Sequence, residues 1–140
     1  MTKSPINKIV QEWFRLATID LIGAKSLYDL KNEKLWSLVA YHCQQVVEKS
    51  IKGYLAYQKI KFNKTHDIGE LAHLVLVADS SLDFLLKEAD QLTPYAISIR
   101  YPDAALKELE KTDVEFALEI ALKVYNAILS KITFDGSWSL

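Results

Sequence analysis

Polar and charged side chains recur at helical spacing between residues 41 and 52, in a segment otherwise patterned like a core helix of a bundle. They fall on one stripe at intervals of four, three and four residues: Tyr41, Gln45, Glu48 and Lys52. His42 and Lys49, seven residues apart, lie beside it at the edge of the apolar face. A buried polar group costs roughly 1–3 kcal/mol unless it is hydrogen-bonded. The stripe therefore predicts either an internal hydrogen-bond network or the wall of a polar cleft.

A second group, Lys64-Thr-His-Asp67, stands where a new helix is predicted to begin. The free amides of a first helical turn and the helix dipole favour an anion, so Thr65 and His66 are candidate phosphate ligands. The structural alternative is that Thr65 or Asp67 caps the helix while His66 packs over its first turn.

The third group, Arg100-Tyr-Pro-Asp103, places an arginine beside an aromatic ring in a turn that Pro102 holds out of helical geometry. Arginine binds phosphate through two parallel hydrogen bonds, and a tyrosine ring stacks on a base. Arg100, Tyr101 and Asp103 therefore suit a nucleotide. The structural alternative is an ion pair between Arg100 and Asp103 that locks the turn.

The sequence lacks the motifs of several other kinds of active or binding site. It has no glycine-rich phosphate loop, no His-Glu-x-x-His and no paired Cys-x-x-Cys. The histidines at 42, 66 and 73 match no metal-ligand spacing, and Cys43 is the single cysteine, so an intrachain disulfide is excluded. We therefore expect no catalytic motif, no metal and no cofactor.

Composition describes a globular protein of one domain. The chain has 140 residues, half of them apolar, and 17 basic against 18 acidic side chains give a net charge of −1. That balance offers no electrostatic footprint for duplex DNA or an anionic membrane. With neither a signal-peptide pattern nor a long apolar run, the expected compartment is the cytoplasm. We expect one domain over residues 1–133 and an irregular tail over 134–140.

The elements that must position these residues are helices. Apolar side chains at intervals of three and four predict long helices over about 5–30 and 34–59, and a short one carrying Ile68 and Leu71. A fourth begins near Leu82 and is kinked or restarted at Pro94. Thr112-Asp-Val-Glu115 reads as the capping box of the last helix. The fold class predicted is all-α, an up-and-down antiparallel bundle of four to five helices.

Together these motifs resemble the HEPN domain family. The resemblance covers about residues 10 to 130 and rests on four motifs in order: Trp13…Asp20…Ala24 on the first helix, His42-x-Gln-Gln-x-x-Glu-Lys-x-x-Lys52 on the second, Lys64-Thr-His-Asp67, and Arg100-Tyr-Pro-Asp103. It implies an up-and-down helical bundle, frequent homodimers, and genes often paired with a small nucleotidyltransferase.

Some members of the resembled family bind nucleotides, and others are metal-independent RNase toxins whose Arg-x(4–6)-His motif acts on RNA. This sequence departs from the RNase motif, because neither Arg15 nor Arg100 has a histidine five to seven residues downstream. His42 or His66 could take the place of the missing histidine if the fold brings it close to one of the arginines.

The leading hypothesis is therefore a noncatalytic nucleotide- or polynucleotide-binding module that forms a homodimer and acts with a nucleotidyltransferase partner. The alternatives are a metal-independent RNase toxin of a toxin–antitoxin pair and a purely structural dimerisation domain. By family likeness, ten residues are candidates for one shared cleft: His42, Gln45, Glu48, Lys49, Lys52, Thr65, His66, Arg100, Tyr101 and Asp103.

Overall fold

The protein was analysed as a computed structural model, which describes residues 8–98 and 108–132. The described residues contain six α-helices and no β-strand. The helices are α1 (Lys8–Asp29), α2 (Trp36–Tyr57), α3 (Ile68–Ala78), α4 (Asp83–Ala89), α5 (Tyr95–Ser98) and α6 (Lys111–Leu129). The predicted all-α bundle is confirmed, with more helices than expected because the middle of the chain is divided into short segments.

Helix α2 lies at the centre of the bundle and packs against α1, α3, α5 and α6. From Val39 to Leu55 nearly every side chain on it is buried. Its central place explains why most polar side chains on α2 meet another part of the chain and not water.

Helices α1 and α2 form an antiparallel pair. Phe14, early in α1, lies against Gly53, late in α2, and Asp20 further along α1 lies beside Lys49 and His42. A Cβ at Gly53 would stand 2.8 Å from the Phe14 ring, so the absent side chain lets the two helices approach closely.

Helix α6 runs antiparallel to α1 on another side of α2. Thr18 and Tyr125 share a hydrogen bond of 2.7 Å, and the Tyr28 hydroxyl donates to Glu115 at 3.0 Å. The apolar face predicted for the last helix is buried here, from Val114 to Ile128.

The predicted capping box of α6 is wrong by two residues. The helix begins at Lys111, and the amide of Glu110 donates to the Asp113 carboxylate at 2.9 Å. Thr112 thus lies inside the first turn, because Asp113 supplies the acceptor for a start two residues earlier. At Pro94 the expected interruption occurs: a 3-10 turn, Asp90–Leu92, ends before it, and α5 begins just after it.

None of the helices described is long and apolar enough to cross a membrane. The predicted tail over 134–140 and the turn Arg100-Tyr-Pro-Asp103 lie outside the described residues.

Candidate functional site

Two polar clusters on α2 contain most of the residues singled out in the sequence. The Asp20 cluster consists of Asp20, His42 and Lys49. The Glu48 cluster consists of Gln44, Gln45, Glu48, Lys52 and His66. Each is built around one buried carboxylate.

In the Asp20 cluster, α1 supplies the carboxylate and α2 supplies the two basic side chains. Asp20 Oδ1 lies 2.8 Å from His42 Nδ1, and Lys49 Nζ donates to Asp20 Oδ2 at 2.6 Å. Residues seven apart on a helix share a face, so one carboxylate can reach both partners. The cluster therefore ties α1 to α2 across an otherwise apolar contact.

In the Glu48 cluster, four donors surround one carboxylate. Lys52 Nζ donates to Oε2 at 2.9 Å, while Oε1 accepts from Gln44 at 3.1 Å and from Gln45 at 3.4 Å. His66 Nδ1, from the loop before α3, lies 2.9 Å from the same Oε1. The cluster thereby fixes the connection between α2 and α3 against the middle of α2.

The amide side chains complete this network. Gln45 donates to Gln44 Oε1 at 2.6 Å, and Gln44 also donates to the backbone carbonyl of His66 at 3.1 Å. The Lys52 ammonium lies 5.6 Å from the centroid of the Trp13 ring, within the range of a cation–π contact. Every charged group of the cluster thus has a partner, as burial requires.

Hydrogen bonds overcome burial at both carboxylates. Burial alone would raise the pKa of Asp20, but hydrogen bonds from His42 and Lys49 outweigh it and leave the pKa below its ordinary value of 3.8. Burial likewise acts to raise the pKa of Glu48, and the donors Lys52, Gln44 and His66 bring it below 4.5. Both side chains are therefore ionised at neutral pH.

The imidazoles keep one nitrogen each for other contacts. Because a carboxylate only accepts hydrogen bonds, the proton between each pair lies on Nδ1 of the histidine. Within residues 8–98 and 108–132, neither His42 Nε2 nor His66 Nε2 has a hydrogen-bond partner. The His66 side chain is 53% exposed and that of His42 is 26% exposed. Two carboxylate-held imidazoles thus border the solvent.

The helix start at residue 67 is occupied by the protein's own side chains. The first three amides of α3 donate to Thr93 Oγ1, Asp90 Oδ1 and Asp67 Oδ1 at 3.1, 2.9 and 3.2 Å. Thr65 Oγ1 accepts from the Asp67 amide and does not join the Glu48 cluster. An anion in this region would consequently depend on His66 rather than on free helix amides.

Three residues that belong to the two clusters or contact them were not among the candidates from the sequence: Asp20, Gln44 and Trp13. The sequence did contain a clue to Asp20, which stands at a position of the apolar repeat of α1. A carboxylate at such a position implies a buried partner. Gln44 is fully buried one residue from the predicted stripe. Conversely, the candidates Arg100, Tyr101 and Asp103 lie outside the described residues.

Metal ligation finds no support in the described part of the chain, where no three His, Cys, Asp or Glu side chains group around a common point. Cys43 is buried, which raises the pKa of its thiol to about 12 and keeps it protonated.

Comparison with known proteins places this geometry in a family. The sequence model of the HEPN domain matches residues 10–132, nearly the whole chain. The chain belongs to the HEPN domain family. The crystal structure of ST0689, an archaeal HEPN homologue, superposes with a TM-score of 0.68 at 23% identity and covers 89% of this chain and 98% of its own. At that identity the likeness concerns the fold. No curated protein matches the sequence significantly.

The α2 motif on which the HEPN resemblance rests therefore supplies most members of the two polar clusters. Its His, Gln-Gln, Glu-Lys and Lys positions are the members of the two clusters, apart from Asp20 on α1 and His66 on the loop.

Acid should weaken the fold through the two carboxylates. Because the folded-state pKa values of Asp20 and Glu48 are lowered, their stabilisation is complete above the ordinary values and is lost as pH falls through the lowered ones. The free energy of unfolding, measured by urea denaturation, should fall between about pH 5 and pH 3. In a Glu48→Gln variant that fall should be shallower, since one of the carboxylates no longer titrates.

At neutral pH the same variant should lose roughly 3 kcal/mol, because it leaves the buried Lys52 ammonium without a counter-charge. Replacing both partners, in Glu48→Gln/Lys52→Met, should recover part of the loss. Glu119→Gln is the matched control, since Glu119 and Lys123 form an exposed pair whose loss should change the free energy of unfolding little. Equal losses in Glu48→Gln and Glu119→Gln would contradict this role of the Glu48 cluster.

Proposed function

We propose that this HEPN domain is a noncatalytic nucleotide- or polynucleotide-binding module, and that His66 and His42 contact the phosphate of the ligand. Two imidazoles at least partly open to solvent support this function, each held through Nδ1 by a buried carboxylate and with no partner for Nε2 among the described residues. An imidazole fixed in this way loses little rotational freedom on binding, which favours affinity.

Charge within the clusters supports an anion as the ligand. In each cluster one lysine balances one carboxylate, so the total is zero with a neutral imidazole and +1 with an imidazolium. A neutral imidazole whose Nδ1 proton faces a carboxylate can only accept at Nε2. Contact with a phosphate oxygen therefore requires a second proton on the ring, at Nε2.

A further part of the proposal rests on the sequence around residue 100. We infer that Arg100 binds phosphate and that Tyr101 stacks on a base, with Asp103 orienting the arginine. These roles rest on the chemistry of the side chains and on the HEPN resemblance.

Nucleotide binding should stabilise the protein in a thermal melt. At millimolar ATP and about pH 6, ligand at ten times its Kd would add about 1.4 kcal/mol and raise the melting temperature by roughly 3–6 °C. The rise should be lost in His66→Ala and in Arg100→Ala. Lys87→Ala, which removes an exposed cation from α4, should keep it. No rise at millimolar nucleotide would contradict the proposal.

Metal-independent RNA cleavage is the second candidate function. The contact between His66 Nδ1 and Glu48 resembles the pairing of a general base with the carboxylate that orients it, which leaves Nε2 able to accept a proton. RNA incubated with the protein in EDTA should stay intact if the domain only binds. Cleavage that disappears in His66→Ala and persists in Lys87→Ala would favour the RNase.

We further propose that the domain forms homodimers through the outer face of α1. Three apolar residues lie on one face of α1, the face that also carries the open position Gly23: the exposed Ile9 and Ile19 and the half-buried Leu16. The exposed Leu30 follows in the turn after the helix. Exposed apolar patches of this kind mark interaction surfaces. A nucleotidyltransferase partner is proposed from the HEPN resemblance alone, and a neighbouring reading frame with Gly-Ser followed by Asp-x-Asp would support it.

Ile19→Glu should shift the protein from dimer to monomer, because it places a charge in the proposed interface. Size-exclusion chromatography with light scattering measures the mass directly. The matched control is Val77→Glu, which charges an exposed apolar residue on α3 and should leave the dimer intact. A monomeric wild-type protein at high concentration would refute the dimer.

A further inference from the structure

An open cleft lies between the loop before α3 and the first turns of that helix. Its volume is about 540 Å³, within the range of small-ligand sites. The loop lines it with residues between 61 and 65, and α3 lines it with residues between 70 and 74. No member of the Asp20 cluster or the Glu48 cluster lines it, so the cleft is a separate feature of the surface.

The apolar wall of the cleft is formed by Phe62 from the loop and by Leu71 and Leu74 from α3. Leu71 is fully buried, while Phe62 and Leu74 are half-buried and keep part of their surface open to the cleft. Leu71 and Leu74 are three residues apart, so they share one face of the helix. Such a wall favours a ligand with an apolar or aromatic body.

Both sides of the cleft are fixed to the rest of the fold. Phe62 makes an edge-to-face contact with Trp13, at 6.3 Å between ring centroids. The contact between His66 and Glu48 holds the end of the loop, and Asp90 accepts from an amide in the first turn of α3 at 2.9 Å. Because the two sides are already in place, a ligand has little of the site to order when it binds.

Three donors at the cleft have no acceptor in the part of the chain that the structure describes. The exposed Lys61 and His73 have neither a hydrogen bond nor an ion pair there, and even a neutral imidazole donates through one ring nitrogen. Thr65 Oγ1 accepts from the Asp67 amide at 3.1 Å, which leaves its own hydroxyl proton without an acceptor. A ligand can bind all three donors without breaking a contact of the fold.

One carboxylate, Glu70, also borders the cleft. Its Oε1 lies 3.5 Å from the amide nitrogen of Asn63, so part of its accepting capacity is already directed at a donor of the loop. Lys61 balances its charge, which leaves the cleft neutral with a neutral His73 and positive with a protonated one. The unpartnered donors therefore outnumber the acceptors and favour an anionic group on the ligand.

We propose that this cleft binds a small amphipathic anion, a molecule with an apolar or aromatic body and one carboxylate or phosphate group. The body packs against the apolar wall, and the anionic group accepts hydrogen bonds from Lys61, Thr65 and His73. The proposal goes beyond nucleotide binding and does not rest on it, since neither His66 nor His42 lines the cleft.

Nitrogen-15 NMR titration of the full chain tests the site with four compounds that share one body: phenylbutyrate, phenylbutyl phosphate, phenylbutanol and phenylbutylamine. The two anions should bind with a Kd on the order of 1 mM and shift the backbone amides between residues 61 and 74. The tighter of the two identifies the preferred oxyanion. The neutral alcohol and the cationic amine should bind at least roughly five-fold more weakly, because they cannot accept charge-assisted hydrogen bonds.

Substitutions at the polar rim should act in opposite directions. Lys61→Gln and His73→Gln should each weaken phenylbutyrate roughly three-fold or more, since each removes a donor to a charged group. Glu70→Gln should tighten it, because a repelling charge is lost. Lys64→Gln is the matched control, since Lys64 is an exposed lysine of the same loop that does not line the cleft, and it should leave the Kd unchanged. Thermal melts check that the variants fold like the wild type.

Equal binding of phenylbutylamine and phenylbutyrate would overturn the anion site. So would equal effects of Lys61→Gln and Lys64→Gln, or amide shifts that centre on another part of the chain. Absence of any shift at millimolar phenylbutyrate would overturn it as well. None of these results would touch the proposed nucleotide binding, whose test is the thermal shift with ATP and its loss in His66→Ala.

Discussion

The ionised carboxylate of Glu48, buried in the centre of the bundle, constrains the structure around it. An uncompensated charge at such a place would cost several kcal/mol, so donors must converge on it. Three come from α2 itself and one from the loop before α3. The loop cannot move away without removing a donor, and Lys52 cannot turn outward without leaving a bare charge. One ionised group thereby fixes the position of α3 relative to α2.

The same constraint orients the proposed ligand contacts. His66 binds Glu48 through Nδ1, which leaves Nε2 without a partner among the described residues. Asp20 holds His42 in the same manner from α1. An internal network and the wall of a cleft were alternatives for the polar stripe in the sequence. In the fold the stripe residues Gln45, Glu48 and Lys52 form an internal hydrogen-bond network.

The sequence predicted the helices better than the contacts between them. The polar stripe on α2 and the helix start at Asp67 followed from spacing, because local periodicity and capping are encoded within a few residues. Asp20 and Gln44 were missed as site residues because a buried partner depends on which helices meet. The start of α6 was misplaced because Thr112 and Glu115 match the capping-box pattern. In the structure the Glu110 amide donates to Asp113, so the helix starts two residues earlier.

The resemblance to HEPN proteins located the clusters, yet spacing alone could not say that His66 belongs with Glu48 and His42 with Asp20. That pairing is tertiary, and it decides which nitrogen of each ring can reach a ligand. Nitrogen-15 NMR of the histidine rings measures it directly during a titration with ATP. The structure predicts protonated Nδ1 in both rings, and a His66 Nε2 resonance that shifts as nucleotide binds. Nucleotide that binds while the Nε2 resonances of His66 and His42 stay unchanged would contradict this account.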